Sequence, residues 1–425
     1  LALFRFKAMV RPWLPALACW LAFSAAAQTP QTTDIPLSLD AAIALALQRN
    51  PDISAALRER QATDGSLLQA TLRPNPELSA LEEDLRRGRR TSTLQLAQPI
   101  ETGGKREART GAAALRRDQA DWSLQQVRAD VRAAVTVLYI ELLAARQRLQ
   151  LAGDSIALAE NTSRAARQRV LAGKVSPVEE TRARVAEAAA RVEALQADGA
   201  LRAARQRLAA LWGDRAGGVE AVGRLNLPPA EMAEAVPYDR VAAAPAMAFA
   251  RLEMDRRQAL VRVETAAAVP NVSITLGAKR LQEAGVTQAV VGFSVPLPLF
   301  DRNQGNVAEA LRREDKARDE RDATELRLFS ELAQAQERLR STRAEALTLQ
   351  RDALPGAHEA FDAASRGFAL GKFSFLEALD AQRTWFQVQA QAQRALADSL
   401  RAAAEIERLL GVADERSRLS PLLVP

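Results

Sequence analysis

The side chains able to do chemistry in this 425-residue chain are few and scattered. His358 is the single histidine, with Glu359 beside it and Asp362 one helical turn on. A histidine and a carboxylate at i and i+4 can ligate a metal, but the pair is commoner as a polar helix surface. The four methionines, Met9, Met232, Met247 and Met254, make no cluster, and Cys19 is the only thiol, so no soft-metal site is offered. Gly103-Gly104-Lys105 and Gly173-Lys174 lack the spacing of a phosphate-binding loop, as does the stretch from Gly213 to Gly218. The expectation is a protein that is not an enzyme, holds no metal and needs no cofactor.

Charge narrows the partners. Lys and Arg number 58 against 52 Asp and Glu, a formal net charge of +6. The signs are interspersed, as in Arg312-Arg313-Glu314-Asp315-Lys316, where i,i+3 and i,i+4 pairing keeps a helix face soluble. No basic patch stands apart, which argues against nucleic acid. Aromatic residues are only 4% of the chain. Ala, Arg, Glu, Gln and Leu dominate its middle, the vocabulary of long helices with shallow, repetitive contacts.

The elements that position these residues come in two copies. Leu171-Ala-Gly-Lys-Val-Ser-Pro-Val-Glu179 matches Ala369-Leu-Gly-Lys-Phe-Ser-Phe-Leu-Glu377 at an offset of 198, and the register continues to Leu211-Trp-Gly213 against Leu409-Leu-Gly411. Upstream, Pro74-Asn75 resembles Pro270-Asn271, and Gln98-Pro99-Ile100 resembles Val295-Pro296-Leu297. The repeats span 38–213 and 235–411, with a linker at 214–234 broken by Gly217-Gly218 and Pro228-Pro229 and a tail at 412–425.

Each repeat opens on helical pieces, 39–49 and 52–71 in the first and about 240–267 in the second. Two strands of about ten residues follow, near 75–84 and 92–100, then near 270–280 and 286–296. That length crosses a bilayer at a tilt, but four strands cannot close a barrel, and an open edge is not tolerated in hydrocarbon. Membrane strands here require several copies to share one barrel. A soluble hairpin packed on the helices would alternate in the same way.

Helical hairpins at 104–212 and 306–410 complete the repeats. Residues 104–172 hold no proline and extend about 100 Å. Leu138, Leu142, Ala145, Leu149, Ala152, Ile156 and Ala159 recur there at coiled-coil spacing, with Leu328, Leu332, Ala335 and Leu339 on the same rhythm in the second copy. Pro355-Gly356 predicts a kink. Gly173 and Gly371 mark the reversals; Ser176-Pro177 then offers a cap and a first-turn proline, and Ser374 with Glu377 has capping-box spacing.

Residues 1–27 read as a cleavable export signal, basic at Arg5, Lys7 and Arg11, apolar from Leu14 to Phe23, and small at Ala25-Ala26-Ala27. Cys19 lies inside the apolar stretch, with Ala16 where a lipoprotein signal usually has Leu, Val or Ile.

The order of helix, strand pair opening on Arg73-Pro-Asn-Pro76, strand ending Gln98-Pro-Ile-Glu-Thr-Gly-Gly-Lys-Arg106, long helix and Ala-Gly-Lys-Val-Ser tip, made twice, resembles the TolC-type outer membrane factor family over nearly the whole chain after the signal. The nonapeptide looks most like its heavy-metal, cobalt-zinc-cadmium efflux branch. The resemblance implies a homotrimer whose twelve strands form an outer-membrane β-barrel and whose helices form a periplasmic α-barrel. It also implies a periplasmic adaptor protein and an inner-membrane pump of the resistance-nodulation-division class as partners. Two acidic residues one turn apart narrow the entrance in many members; the matching positions are Glu377 and Asp380. Surface roles, Glu377 as a helix cap and Asp380 beside Arg383, stand as the alternative for this pair. Glu179, Glu180, Arg182 and Arg383 are candidates for a salt-bridge lock at the tips, and Gly173, Lys174, Ser176, Gly371, Lys372 and Ser374 for adaptor docking. A multidrug or type I secretion channel is the nearest rival reading, and a soluble periplasmic coiled-coil adaptor or scaffold the rival from another class.

Overall fold

A computed structural model describes residues 35–84, 86, 88–215, 218–234, 236–411 and 419–423. The signal reading of residues 1–27, Cys19 with it, and most of the tail lie outside the described residues.

A short strand, β1 (Ile35–Leu37), leads into α1 (Leu39–Arg49), and Asn50 joins it to α2 (Pro51–Thr71). The Asn50 side-chain oxygen accepts from the N–H groups of Asp52 and Ile53, while its amide donates to the Leu211 carbonyl at 2.8 Å. Pro51 then falls in the first turn, where a missing N–H is harmless. Strands β2 (Glu77–Glu83) and β3 (Thr91–Ile100) follow, then α3 (Lys105–Leu171), whose 67 residues extend about 100 Å. The chain returns along α4 (Pro177–Ala210).

The connecting stretch holds β4 (Val219–Ala221), paired in parallel with β1, and a 3-10 turn at Ala230–Ala233. The second half runs α5 (Tyr238–Ala242), α6 (Pro245–Ala267), β5 (Val272–Leu281), β6 (Val286–Ser294) and α7 (Gln304–Thr348). A π turn at Leu349–Ala353 passes α7 into α8 (Leu354–Ala369), and α9 (Phe375–Leu410) returns.

That π turn has a cause in the duplication. The buried positions Val131, Val135 and Leu142 of α3 correspond to Leu328, Leu332 and Leu339 of α7, 197 residues apart, whereas the tip glycines Gly173 and Gly371 stand 198 apart. One extra residue lies between these points in the second half, and a π turn absorbs it without breaking the helix. The irregularity expected at Pro355-Gly356 sits just upstream, at Leu349–Ala353, and Pro355 occupies the first turn of α8.

Strands β2, β3, β5 and β6 form one antiparallel sheet in that order. Its register aligns Leu78, Leu96, Leu276 and Val291 in one row and Ala80, Leu94, Ala278 and Ala289 in the next on the same face. The opposite face carries Ser79, Gln95, Thr93, Lys279 and Gln288, with Leu81, Leu281, Val286 and Val290 among its apolar exceptions. The four leucines and valines of the first row are all exposed. β2 and β6 leave both edges of the sheet unpaired within the chain. No helix among the described residues is long and apolar enough to cross a membrane.

The main core lies where α1, α3, α4, α7 and α9 converge beside the β1–β4 pair, around Leu39, Val135, Leu143, Leu208, Leu339 and Leu400. Tyr139 is fully buried there, its hydroxyl 2.8 Å from the Leu37 carbonyl and 2.6 Å from that of Val222. Burial pushes its pKa up to about 12, so it stays a donor and ties the β1–β4 pair to α3.

Candidate functional site

The far ends of the two hairpins are built alike. At the first, Gly173 adopts φ 68° and donates to the Val170 carbonyl at 2.9 Å, and the Lys174 N–H reaches the Arg169 carbonyl at 2.9 Å. At the second, Gly371 has φ 73° and donates to Phe368 at 3.1 Å, and Lys372 reaches Gly367 at 2.8 Å. Both pairs of bonds close the last helical carbonyls through a left-handed residue, a geometry that favours glycine.

Each returning helix is capped by serine. The Ser176 hydroxyl accepts from the Val178 N–H at 3.3 Å and the Ser374 hydroxyl from the Glu377 N–H at 3.3 Å. Only the second tip closes a reciprocal box: one Glu377 carboxylate oxygen accepts from the Ser374 N–H at 2.7 Å and from its hydroxyl at 2.8 Å. The Ser374 N–H, and then the hydroxyl, hold this carboxyl below its ordinary pKa.

Asp380 is exposed one turn further along α9, and among the described residues it makes no ion pair with Arg383 or any other cation of the chain. Glu179, Glu180, Arg182 and Arg383 likewise form no ion pair with one another inside the chain. Lys174 and Lys372 are exposed at the turns.

Residues that sequence reasoning passed over join the two tips. The Arg169 guanidinium donates to the Phe368 carbonyl at 2.6 Å and the Ala369 carbonyl at 3.1 Å, and lies 4.1 Å above the Phe368 ring. A cation at the C-terminus of α8 also meets the favourable end of its dipole. Phe375 meets Phe368 edge-on at 5.9 Å and closes a small core with Ala166, Ala183 and Leu379. At Gly367, the counterpart of Arg169, the Phe373 ring occupies the space a Cβ would need. Only the phenylalanines at 368, 373 and 375, crowded around one turn, signalled this cluster.

At the other end of α3, the nonapeptide Gln98–Arg106 turns strand into helix. Gly103 and Gly104 both have positive φ, 66° and 72°, and a Cβ on Gly103 would stand 2.7 Å from that of Val269. Thr102 donates to the Pro270 carbonyl and Lys105 to the Asn271 side chain at 2.6 Å, so the first repeat's junction grips the start of the second repeat's strands. Asn303, at φ 59°, starts α7 in the same left-handed way.

His358 stands with its Nδ1 3.6 Å from the Asp362 carboxylate and its ring edge-on to Trp385 at 4.7 Å. Among the described residues no group of three His, Cys, Asp or Glu side chains is placed to hold a metal.

The family described as "Outer membrane efflux protein" matches residues 42–214 and 236–412. The cobalt-zinc-cadmium resistance protein CzcC of Cupriavidus metallidurans is 45% identical over 383 residues, 90% of this chain and 92% of that protein. A crystal structure of a membrane protein from Pseudomonas aeruginosa has the same fold, with a TM-score of 0.77 at 22% identity over 88% of this chain and 93% of that one. So does the Campylobacter jejuni CmeC outer membrane channel, with a TM-score of 0.77 at 17% identity over 88% and 85%.

Proposed function

The chain belongs to the outer membrane efflux protein family, and from that premise we propose that it forms the outer-membrane duct of a tripartite assembly exporting heavy-metal cations. As a member of the family it is a channel of the outer membrane with a large periplasmic portion, and it performs no catalysis. The four-stranded sheet carries the assembly reading: one face is apolar and exposed, both edges are open, and about 100 Å of helix follows it. In hydrocarbon each unpaired backbone group costs several kcal/mol, so the edges must close on other copies. Three copies of four strands make a barrel of twelve.

The metal substrate is supported by the relation to a cobalt-zinc-cadmium resistance protein, which spans 90% of the chain. An inner-membrane pump of the resistance-nodulation-division class does the work, and a periplasmic adaptor meets the tips around Gly173, Lys174, Ser176, Gly371, Lys372 and Ser374. At the entrance Glu377 and Asp380 form acidic rings of three that favour cations. Glu179, Glu180, Arg182 and Arg383 lock the tips through pairs between copies.

The test is complementation. In cells keeping the cognate pump and adaptor but lacking their duct, this chain restores growth in Co2+, Zn2+ and Cd2+ and lowers their cellular content. Restored resistance to organic drugs, with metal content unchanged, would overturn the metal reading.

A further inference from the structure

The exposed apolar face of the sheet ends abruptly. Its rows run from Ile100 and Val272, beside the helices, to Ala80, Leu94, Ala278 and Ala289. The next row on the same face is Glu82, Ser92, Arg280 and Thr287, all polar. At about 3.4 Å per residue and a strand tilt of about 40°, the climb from Ile100 to Ser92 is about 20 Å, close to the height of an outer-membrane apolar band. α3 and α7 leave the sheet at its other end, so in a channel with a large periplasmic portion this row stands at the external surface.

Arg280 is the unanswered charge of that row. It is exposed and, among the described residues, pairs with no carboxylate of the chain. The one acid on its row, Glu82, is held by Arg90 at 2.6 Å. The preceding residue makes the contrast: Lys279 lies on the opposite face and pairs with Glu83 at 3.1 Å. Assembly brings Arg280 no partner either. β5 lies between β3 and β6 of its own chain, so its neighbours along the row are the Ser92 and Thr287 hydroxyls, whatever pairs with the open edges of β2 and β6.

What remains on that side is the membrane. We propose that Arg280, with the Thr287 hydroxyl beside it, binds a phosphate group of the phosphorylated glycolipid of the outer leaflet. A guanidinium offers phosphate two parallel N–H donors, and Ala278 beneath it leaves the apolar stem room to carry the charged head to the surface. Arg86 and Arg89, held only loosely by Asp84 and Glu283 at 3.9 and 3.7 Å, add positive potential to the same rim. A free phosphate ion would meet one cation and one hydroxyl, whereas the apolar rows below also take acyl chains, which commits the site to a lipid. The proposal rests on the barrel reading above, with the apolar face outward.

Native mass spectrometry of the full-chain trimer, stripped of lipid in detergent and titrated with bis-phosphorylated lipid A, reads the site. One lipid per copy is expected, and Arg280→Ala is expected to weaken it about five-fold, the scale of one basic side chain at an anionic lipid surface. Dephosphorylated lipid A should bind the parent protein as weakly. Lys279→Ala, on the other face, should bind like the parent, which separates the site from a general loss of positive charge. Equal binding by R280A and the parent, equal binding of dephosphorylated lipid A, or displacement of the lipid by equimolar inorganic phosphate overturns the proposal. Weakening by K279A but not R280A overturns the orientation of the sheet as well, and a monomer in the same spectrum overturns the barrel, so these failures are told apart.

Discussion

Ser374 holds the Glu377 carboxylate through its backbone N–H and its hydroxyl, and both bonds favour the charged form. Because the folded pKa lies below the unfolded one, the stabilisation is present above the ordinary carboxylate range and is lost as pH falls through the lowered value. The proposed entrance charge therefore persists in a mildly acid periplasm. Glutamine can also close a capping box, so E377Q/D380N is expected to assemble with at most a small drop in melting midpoint while lowering cation over anion permeability, read as a reversal potential in a salt gradient across a planar bilayer. Unchanged selectivity would remove both residues from the gate. Tyr139 presents the opposite sign. Its pKa is raised to about 12, so its contribution is complete below the free tyrosine value of about 10 and disappears as pH rises through about 12. Tyr139→Phe leaves the Leu37 and Val222 carbonyls without that donor and is expected to destabilise the fold by about 1–3 kcal/mol, seen as a lower denaturation midpoint.

At the scale of elements, the junction from β3 to α3 separates two glycines that look alike in sequence. Both need a left-handed backbone, which costs an L-residue about 1–2 kcal/mol, but only Gly103 faces Val269; no atom lies within 4 Å of a Cβ on Gly104. Gly103→Ala is therefore expected to lower thermal stability more than Gly104→Ala, and equal losses would show that backbone strain alone decides. The tip turns, the Ser374–Glu377 box and the long helices were legible in sequence, because each signal is local and periodic. The Arg169 bonds to Phe368 and Ala369 were not, since they join residues about 200 apart through backbone carbonyls that any side chain would offer. The three-residue pairing of β1 with β4 is too short for alternation to show. The π turn was hidden because proline draws attention to itself, whereas the inserted residue shows only when buried positions of the two halves are compared.

For the whole molecule the family match shows a channel, whereas sequence alternation alone left duct and soluble hairpin both open because Leu94 and Leu96 suit either. The register agrees with a membrane sheet: Leu78, Leu96, Leu276 and Val291 share one face in one row, which a soluble sheet would cover and this one leaves exposed. In the twelve-stranded barrel proposed above, that face would meet lipid, and the face with Gln95, Lys279 and Gln288 the lumen. A charge on the lipid side near the middle of a barrel costs about 2–4 kcal/mol, while the lumen accepts it. Leu276→Arg should therefore deplete the trimer from the outer-membrane fraction, whereas Gln288→Arg should assemble normally and, by placing three more cations in the pore, shift the reversal potential toward anions. If L276R assembles as well as the parent protein while Q288R does not, the sheet faces the other way, and the apolar row lines the channel.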